Sequence, residues 1–168
     1  MIQVINNFFE EETFKEIQQK VTTNLMFSPR YFNPKGEKNE ENYYGSRFIL
    51  SADKYLEKLF IKTAEKKFKI KIKKLHEDSG IDIRNLSNFT PHIDDGIKVN
   101  VLIMIYGPTA VTNGTVFYTD GELDIHIGFR ENRALMFDSN IYHSQHASKI
   151  PNLKRYTSTL FIEDYELI

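Results

Sequence analysis

The apolar positions of this chain change period near residue 68. Before that point they recur at helical spacing. Phe14, Ile17, Val21 and Leu25 stand three or four residues apart, so residues of about 10 to 25 are expected to form an amphipathic helix. Its start, Glu10-Glu11-Glu12, places acids where the helix dipole favours them. Ser51-Ala52-Asp53 opens a second helix, with Tyr55, Leu56, Leu59, Phe60 and Ala64 as its apolar stripe. From Phe68 onward the period is two. Phe68, Ile70 and Ile72 alternate with Lys69, Lys71 and Lys73, the pattern of a strand with one buried and one solvated face. Short strand-like runs follow at about 81–90, 97–106, 114–118, 123–129, 133–138, 141–147 and 155–163, and Ile2-Gln3-Val4-Ile5 adds one at the start. Gly107-Pro108, Asn113-Gly114 and Asp120-Gly121 punctuate them as turns. The polar stretch 33–45, with Pro34 and Gly36, reads as a loop long enough to be a lid or a binding element. Two helices followed by seven or eight short strands predict a mainly β chain with α (α+β), an antiparallel barrel or jelly roll with helices on one side.

At 168 residues the chain is expected to form one domain, with residues 1–66 as a helical support region and 67–168 as the jelly-roll core. Its hydrophobic content of 40% and charged content of 27% are those of an ordinary soluble protein, so nothing in the balance points to a disordered or membrane chain. A formal net charge of -1 gives no general attraction to nucleic acid or an anionic membrane. The six lysines from Lys66 to Lys74 therefore read as a solvated, charge-protected sheet face. No secretory signal and no apolar run of membrane-spanning length is visible, and a cytoplasmic location is expected. Cysteine is absent, so any metal must be held by His and carboxylate.

Pro91-His92-Ile93-Asp94 supplies both. Residues i and i+2 of an extended segment point to one side, so His92 and Asp94 can bind one ion with Ile93 turned away. His143 follows Asp94 by 49 residues (143 − 94) on a separate predicted strand, which a rolled sheet can bring across. Two imidazoles and one carboxylate leave three of six positions open, the arrangement of non-haem Fe(II) oxygenases. His146, three residues further on, is the alternative distal ligand and would face the opposite side of a regular strand. Arg155 follows His143 by 12 residues (155 − 143), with Thr157 again at i+2. A planar fixed cation beside a hydroxyl suits a carboxylate. His126 reads as an exposed strand residue, and His76 has no evident partner.

In this order, His-x-Asp, then His, then Arg, the chain resembles the Fe(II)- and 2-oxoglutarate-dependent oxygenase superfamily, close to its prolyl-hydroxylase-like branch. The resemblance extends to Val4-Ile5-Asn6-Asn7-Phe8-Phe9, to Asn113-Gly114-Thr115-Val116-Phe117-Tyr118 with Asn113 where a Gly is usual, to Asn132–Phe137 and to Arg155–Phe161. It implies a double-stranded β-helix (jelly roll) flanked by N-terminal helices. It implies His92, Asp94 and His143 as iron ligands, Arg155 and Thr157 as the anchor of 2-oxoglutarate, and Tyr106 and Asn100 as further hydrogen-bonding partners of the keto acid. Fe(II), 2-oxoglutarate and O2 would then act together, oxidative decarboxylation yielding succinate, carbon dioxide and an oxidant for the substrate. The implied substrate is a small molecule or peptide, first a peptidyl (prolyl-like) or free amino-acid side chain; a nucleobase-oxidising member and a non-catalytic metal-binding jelly roll are the alternatives. Substrate recognition is expected in the loops 30–46 and 107–113.

Overall fold

The structure is a computed structural model and describes residues 1–31, 43–84, 90–146 and 154–168. Its elements in chain order are β1 (Ile2–Asn6), α1 (Glu11–Thr23), β2 (Ser28–Tyr31), β3 (Tyr43–Ile49), a short 3-10 turn (Leu50–Ala52) and α2 (Lys54–Phe68). There follow β4 (Ile70–Leu75), β5 (Gly80–Arg84), β6 (Val99–Tyr106), β7 (Gly114–Thr119), β8 (Glu122–Gly128), β9 (Arg133–Asp138), β10 (His143–His146) and β11 (Arg155–Leu167). They form an 8-stranded sheet in the order β1-β9-β6-β11-β5-β3-β2, with β4 beside β11, and a 3-stranded sheet in the order β10-β7-β8. Every pairing is antiparallel.

The larger sheet has a core on each face, which explains why β6, Val-Asn-Val-Leu-Ile-Met-Ile-Tyr, is apolar almost throughout. Val99, Val101, Ile103 and Ile105 join the cluster under the helices, made with Phe14, Ile17 and Val21 of α1 and Leu56, Phe60, Ala64 and Phe68 of α2. Met104 belongs to a second cluster with Phe117, Phe129, Leu135 and Phe137, and Leu102 packs against it. That second cluster joins the two sheets, since Phe117 lies on the small one and Phe137 on the large one, with ring centroids 5.0 Å apart. β11 is the spine. Its residues 155–159 pair with β5, 162–167 with β4, and 156–162 with β6 along its other edge.

The strand begins two residues later than the alternation alone implies. Phe68 ends α2, Lys69 adopts the left-handed conformation (φ 58°) that closes the helix, and the strand begins at Ile70. The lysine ridge is matched by acids: Lys71 pairs with Glu65 at 3.1 Å, Lys73 with Glu166 at 2.7 Å and Lys74 with Glu163. His76 does have partners, its Nδ1 accepting from the Asp78 amide at 3.1 Å and its ring lying edge-on to Phe161.

The predicted loop 33–45 lies mostly outside the described residues, but its end is strand. Tyr43–Ile49 pairs with β5 on one edge and β2 on the other. β3 shows no clean apolar alternation because Phe48 packs on the core under the helices while its neighbour Arg47 grips Asp82 through Nε at 2.8 Å and Nη2 at 3.0 Å. Gly45 is needed here. Its φ is 151°, and a Cβ would stand 2.5 Å from the Ile83 carbonyl oxygen. Of the strand predicted over 81–90, residues 85–89 lie outside the described residues. No described helix is long and apolar enough to cross a membrane.

Asp53 caps α2, its Oδ1 accepting from the Tyr55 and Leu56 amides at 3.1 Å each, and it pairs with Lys20 of α1. Burial alone would raise its carboxyl, but the Lys20 bond and the two amides together hold it below the usual range. Its contribution is therefore present at neutral pH and fades as pH falls through the lowered value. Asp53→Ala is expected to lower the unfolding free energy by about 1 kcal/mol at pH 7 in urea titration, with the deficit shrinking below about pH 4.

Candidate metal centre

The segment carrying His92 and Asp94 reaches the small sheet through an isolated antiparallel bridge. The His92 amide donates to the His143 carbonyl and the His143 amide to the His92 carbonyl, each at 3.0 Å. The Asp94 amide donates to the Ser139 carbonyl at 3.1 Å, tying the same segment to the turn after β9. Residues 51 positions apart in sequence (143 − 92), with β6 to β9 between them, are thereby locked side by side. The imidazole centroids of His92 and His143 are 4.5 Å apart.

Each imidazole is oriented from behind. His92 Nδ1 lies 3.0 Å from the Thr90 carbonyl oxygen and His143 Nδ1 lies 2.9 Å from that of Ile141. A Nδ1–H donated to a carbonyl leaves the Nε2 lone pair for a metal, the support that ligating histidines usually have. Both Nε2 atoms turn to Asp94: His143 Nε2 stands 3.3 Å from Oδ2 and His92 Nε2 3.8 Å from Oδ1. One ligand atom from each of His92, Asp94 and His143 lies within 4.8 Å of the others, the one such grouping among the described residues. With imidazole nitrogen and carboxylate oxygen about 2.0–2.2 Å from an ion, adjacent ligands stand roughly 3 Å apart. The two histidine-to-carboxylate separations of 3.3 and 3.8 Å lie close to this. The donor set also fits, since nitrogen and oxygen ligands on one side of an ion suit Fe(II) and leave the opposite positions open.

Burial, the largest influence, lowers the pKa of His92; the His143 and Arg84 charges add to this, against the Thr90 carbonyl and Asp94. His92 is therefore neutral, its ligating form, at neutral pH. Burial opposes ionisation of Asp94, but the His143 hydrogen bond and charge, the Asn100 hydrogen bond and the His92 charge together hold its carboxyl below the usual range.

Of the other residues singled out from sequence, Arg155 and Thr157 begin β11 and are both 3% exposed. Arg155 Nη1 donates to the Gly114 carbonyl at 2.7 Å and to Asn113 Oδ1 at 3.3 Å, and its guanidinium lies 5.3 Å from the Phe129 ring centroid. Its Nε has no hydrogen-bond partner, and no carboxylate forms an ion pair with it among the described residues. Burial, with Arg84 repelling and Asp82 opposing, pushes the guanidinium down to about 9, still charged at pH 7. A buried cation without a local counter-charge is costly and calls for an anion from outside.

Asn100 and Tyr106 are placed differently from the expectation for them. Asn100 Nδ2 donates one of its two N–H groups to Asp94 Oδ2 at 2.6 Å, so it braces the proposed ligand, and its Oδ1 has no hydrogen-bond partner. Tyr106 stands 48% exposed at the end of β6, its ring edge-on to Tyr156, and is not brought to the group. His146 is exposed at the end of β10 with its ring 5.3 Å from that of His126, itself exposed on β8. Thr115 and Gln145 were not found from spacing as partners of the metal face, although the i, i+2 rule applied to His143 leads to Gln145.

No family model matches the sequence, and no curated protein matches it significantly. Solved structures do match. The chain is similar to the non-haem α-ketoglutarate-dependent epimerase SnoN from nogalamycin biosynthesis, at 11% identity and TM-score 0.65, over 98% of this chain and 77% of that one. It is similar to a prolyl hydroxylase from Trichoplax adhaerens, solved with a hypoxia inducible factor peptide fragment, at 15% identity and TM-score 0.63, over 96% and 82% of the two chains. It is also similar to HygX from Streptomyces hygroscopicus, solved with nickel and 2-oxoglutarate, at 10% identity and TM-score 0.64, over 99% and 82%. The fold is that of the iron- and 2-oxoglutarate-dependent oxygenases. SnoN has been solved with Fe3+ and alpha ketoglutarate, so neighbours with this fold hold an iron and the keto acid together.

Removing the brace behind Asp94 is expected to loosen the metal without unfolding the chain. Asn100→Leu should weaken metal binding roughly 10- to 100-fold in anaerobic Fe(II) titration. His146→Ala should leave it within about twofold of the parent.

Proposed function

We propose that this chain is an Fe(II)- and 2-oxoglutarate-dependent oxygenase, residues 1–168 acting as one oxygenase domain. The observation that carries this reading is the pairing of two features in one space between the sheets. One is a His92–Asp94–His143 group whose ligand atoms converge within 4.8 Å; the other is Arg155, a buried cation with an unpartnered Nε. His92 Nε2, Asp94 and His143 Nε2 would hold Fe(II). Arg155 would take the distal carboxylate of 2-oxoglutarate, with Thr157 beside it on the same strand face. Bound iron and keto acid supply the oxidising chemistry with O2, and the protein's own residues do the placing.

The residues divide the work by position. Thr90 and Ile141 carbonyls hold the imidazoles in their ligating tautomer, Asn100 holds the carboxylate, and Phe117 and Phe137 pack beside His143 to keep water from that side. The reaction we infer is hydroxylation of a peptidyl (prolyl-like) or free amino-acid side chain. The branch resemblance and the likeness to a prolyl hydroxylase solved with a peptide support it. The lysines of β4, matched by Glu65, Glu163 and Glu166, offer little surplus charge for a nucleic acid.

Anaerobic addition of Fe(II) and 2-oxoglutarate should give the weak visible charge-transfer band of the chelate, and Asp94→Ala should abolish it. Arg155→Ala should weaken 2-oxoglutarate roughly 10- to 100-fold, the loss of a charged hydrogen bond, and leave Fe(II) affinity nearly unchanged. No band in the parent protein, or equal loss of both ligands in Arg155→Ala, would contradict the assignment. A screen for substrate-stimulated succinate should respond to peptides or amino acids; a response to nucleic acid alone would overturn the substrate class.

A further inference from the structure

Four buried side-chain atoms lack a hydrogen-bond partner among the described residues: Asn100 Oδ1, Thr115 Oγ1, Gln145 Nε2 and Arg155 Nε. Leaving such an atom unsatisfied is unfavourable, so a cluster of them marks where something polar belongs. Asn100 sits on Asp94, and Arg155 is the proposed anchor at the other end. Thr115 and Gln145 remain to be explained.

Their register places them. His143 of β10 pairs with Phe117 of β7, and Gln145 pairs with Thr115 two residues further along. Cross-strand partners share a face, and alternate residues return to it. That face is the inward one, because Phe117 packs on Phe137 of the large sheet and next to His143. Gln145 and Thr115 therefore look into the same inter-sheet space as the metal ligand. The next residue of β7, Gly114, accepts from Arg155 through its carbonyl. Walking from Phe117 through Thr115 to Gly114 thus leads from the metal face to the buried cation.

The length of that walk matches a ligand. Three residues of strand span about 10 Å. A five-carbon diacid extends about 5 Å between its carboxylate carbons. A metal–oxygen bond of about 2 Å and a charged hydrogen bond of about 2.8 Å bring the total close to the same span. Midway along it the diacid would meet a primary amide, which offers two donors, and a hydroxyl, which offers one.

Resting on the function proposed above, we propose that Gln145, together with Thr115, is a positioning residue for 2-oxoglutarate, donating hydrogen bonds to its oxygens between the metal face and Arg155. Both residues are neutral, so they supply donors and shape without adding to the positive charge that burial already makes costly at Arg155. Arg155 alone holds one end of a flexible diacid; two further donors restrict its rotation and direct its metal-binding end to the open coordination positions.

The test is anaerobic titration of the Fe(II)-loaded protein with 2-oxoglutarate, read by the chelate band, for the parent, Gln145→Leu, Gln145→Glu, Thr115→Val and Arg155→Ala. Fe(II) affinity and the unfolding temperature of the ligand-free protein should stay close to the parent in the Gln145 and Thr115 variants. The Kd for 2-oxoglutarate should rise roughly 5- to 30-fold in Gln145→Leu and several-fold in Thr115→Val. It should rise further in Gln145→Glu, where a second carboxylate faces the ligand. If Arg155→Ala is weakened and the Gln145 and Thr115 variants bind like the parent, waters satisfy these atoms; this inference then fails while the function stands. If the Gln145 and Thr115 variants lose iron and keto acid in parallel, the role is structural and the inference also fails. If the parent binds no 2-oxoglutarate, the proposed function fails and takes the inference with it.

Discussion

Two backbone hydrogen bonds between His92 and His143 hold the candidate site together. Neither histidine lies in a long strand at that point. His92 belongs to a segment with a single bridge, and β10 is only 4 residues long. The mutual amide–carbonyl exchange gives both imidazoles one origin and one direction, and Asp94 then meets them from the same segment. Without that bridge the ligands would be fragments on separate surfaces. With it, three side chains from two places in the chain converge, and Phe117 and Phe137 of the second apolar cluster pack against one of them, His143.

The rest of the fold supports that bridge and extends it toward Arg155. β11 is paired along both edges, by β6 on one side and β5 and β4 on the other. Its first residue can therefore carry a buried guanidinium in a rigid place. One face of the large sheet is closed by α1 and α2; the other is left for the small sheet. The apolar cluster of Met104, Phe117, Phe129, Leu135 and Phe137 packs between the sheets, with Phe117 and Phe137 against His143. Apolar packing of this kind strengthens each electrostatic contact that a bound ion or diacid would make beside it.

Much of this was legible in the residues. The period change near Phe68, the i, i+2 spacing of His92 and Asp94 and the later His143 and Arg155 all reflect short-range geometry that the sequence displays directly. The strand β3 is hidden because a buried ion pair, Arg47 with Asp82, takes a position where an apolar residue would show alternation. Lys69 fits the strand alternation because a left-handed helix end leaves no mark on hydrophobic periodicity. The resemblance implies Asn100 as a partner of the keto acid, yet one of its N–H groups goes to Asp94, a pairing set by how the segment 92–94 folds back. Gln145 stands two residues after His143, the same spacing as His92 and Asp94, but an amide there carries no chemical mark of its own. Only the register with Thr115 and the shared lack of partners distinguish it from a surface amide.

The claim at the centre of this account is that His92, Asp94, His143 and Arg155 form one site for an ion and a diacid. A crystal structure grown anaerobically with Mn(II) and 2-oxoglutarate tests it most directly. The account predicts the ion on His92 Nε2, a carboxylate oxygen of Asp94 and His143 Nε2, with the far carboxylate of the diacid on Arg155. An ion held through His146, or a diacid bound away from Arg155, would contradict it.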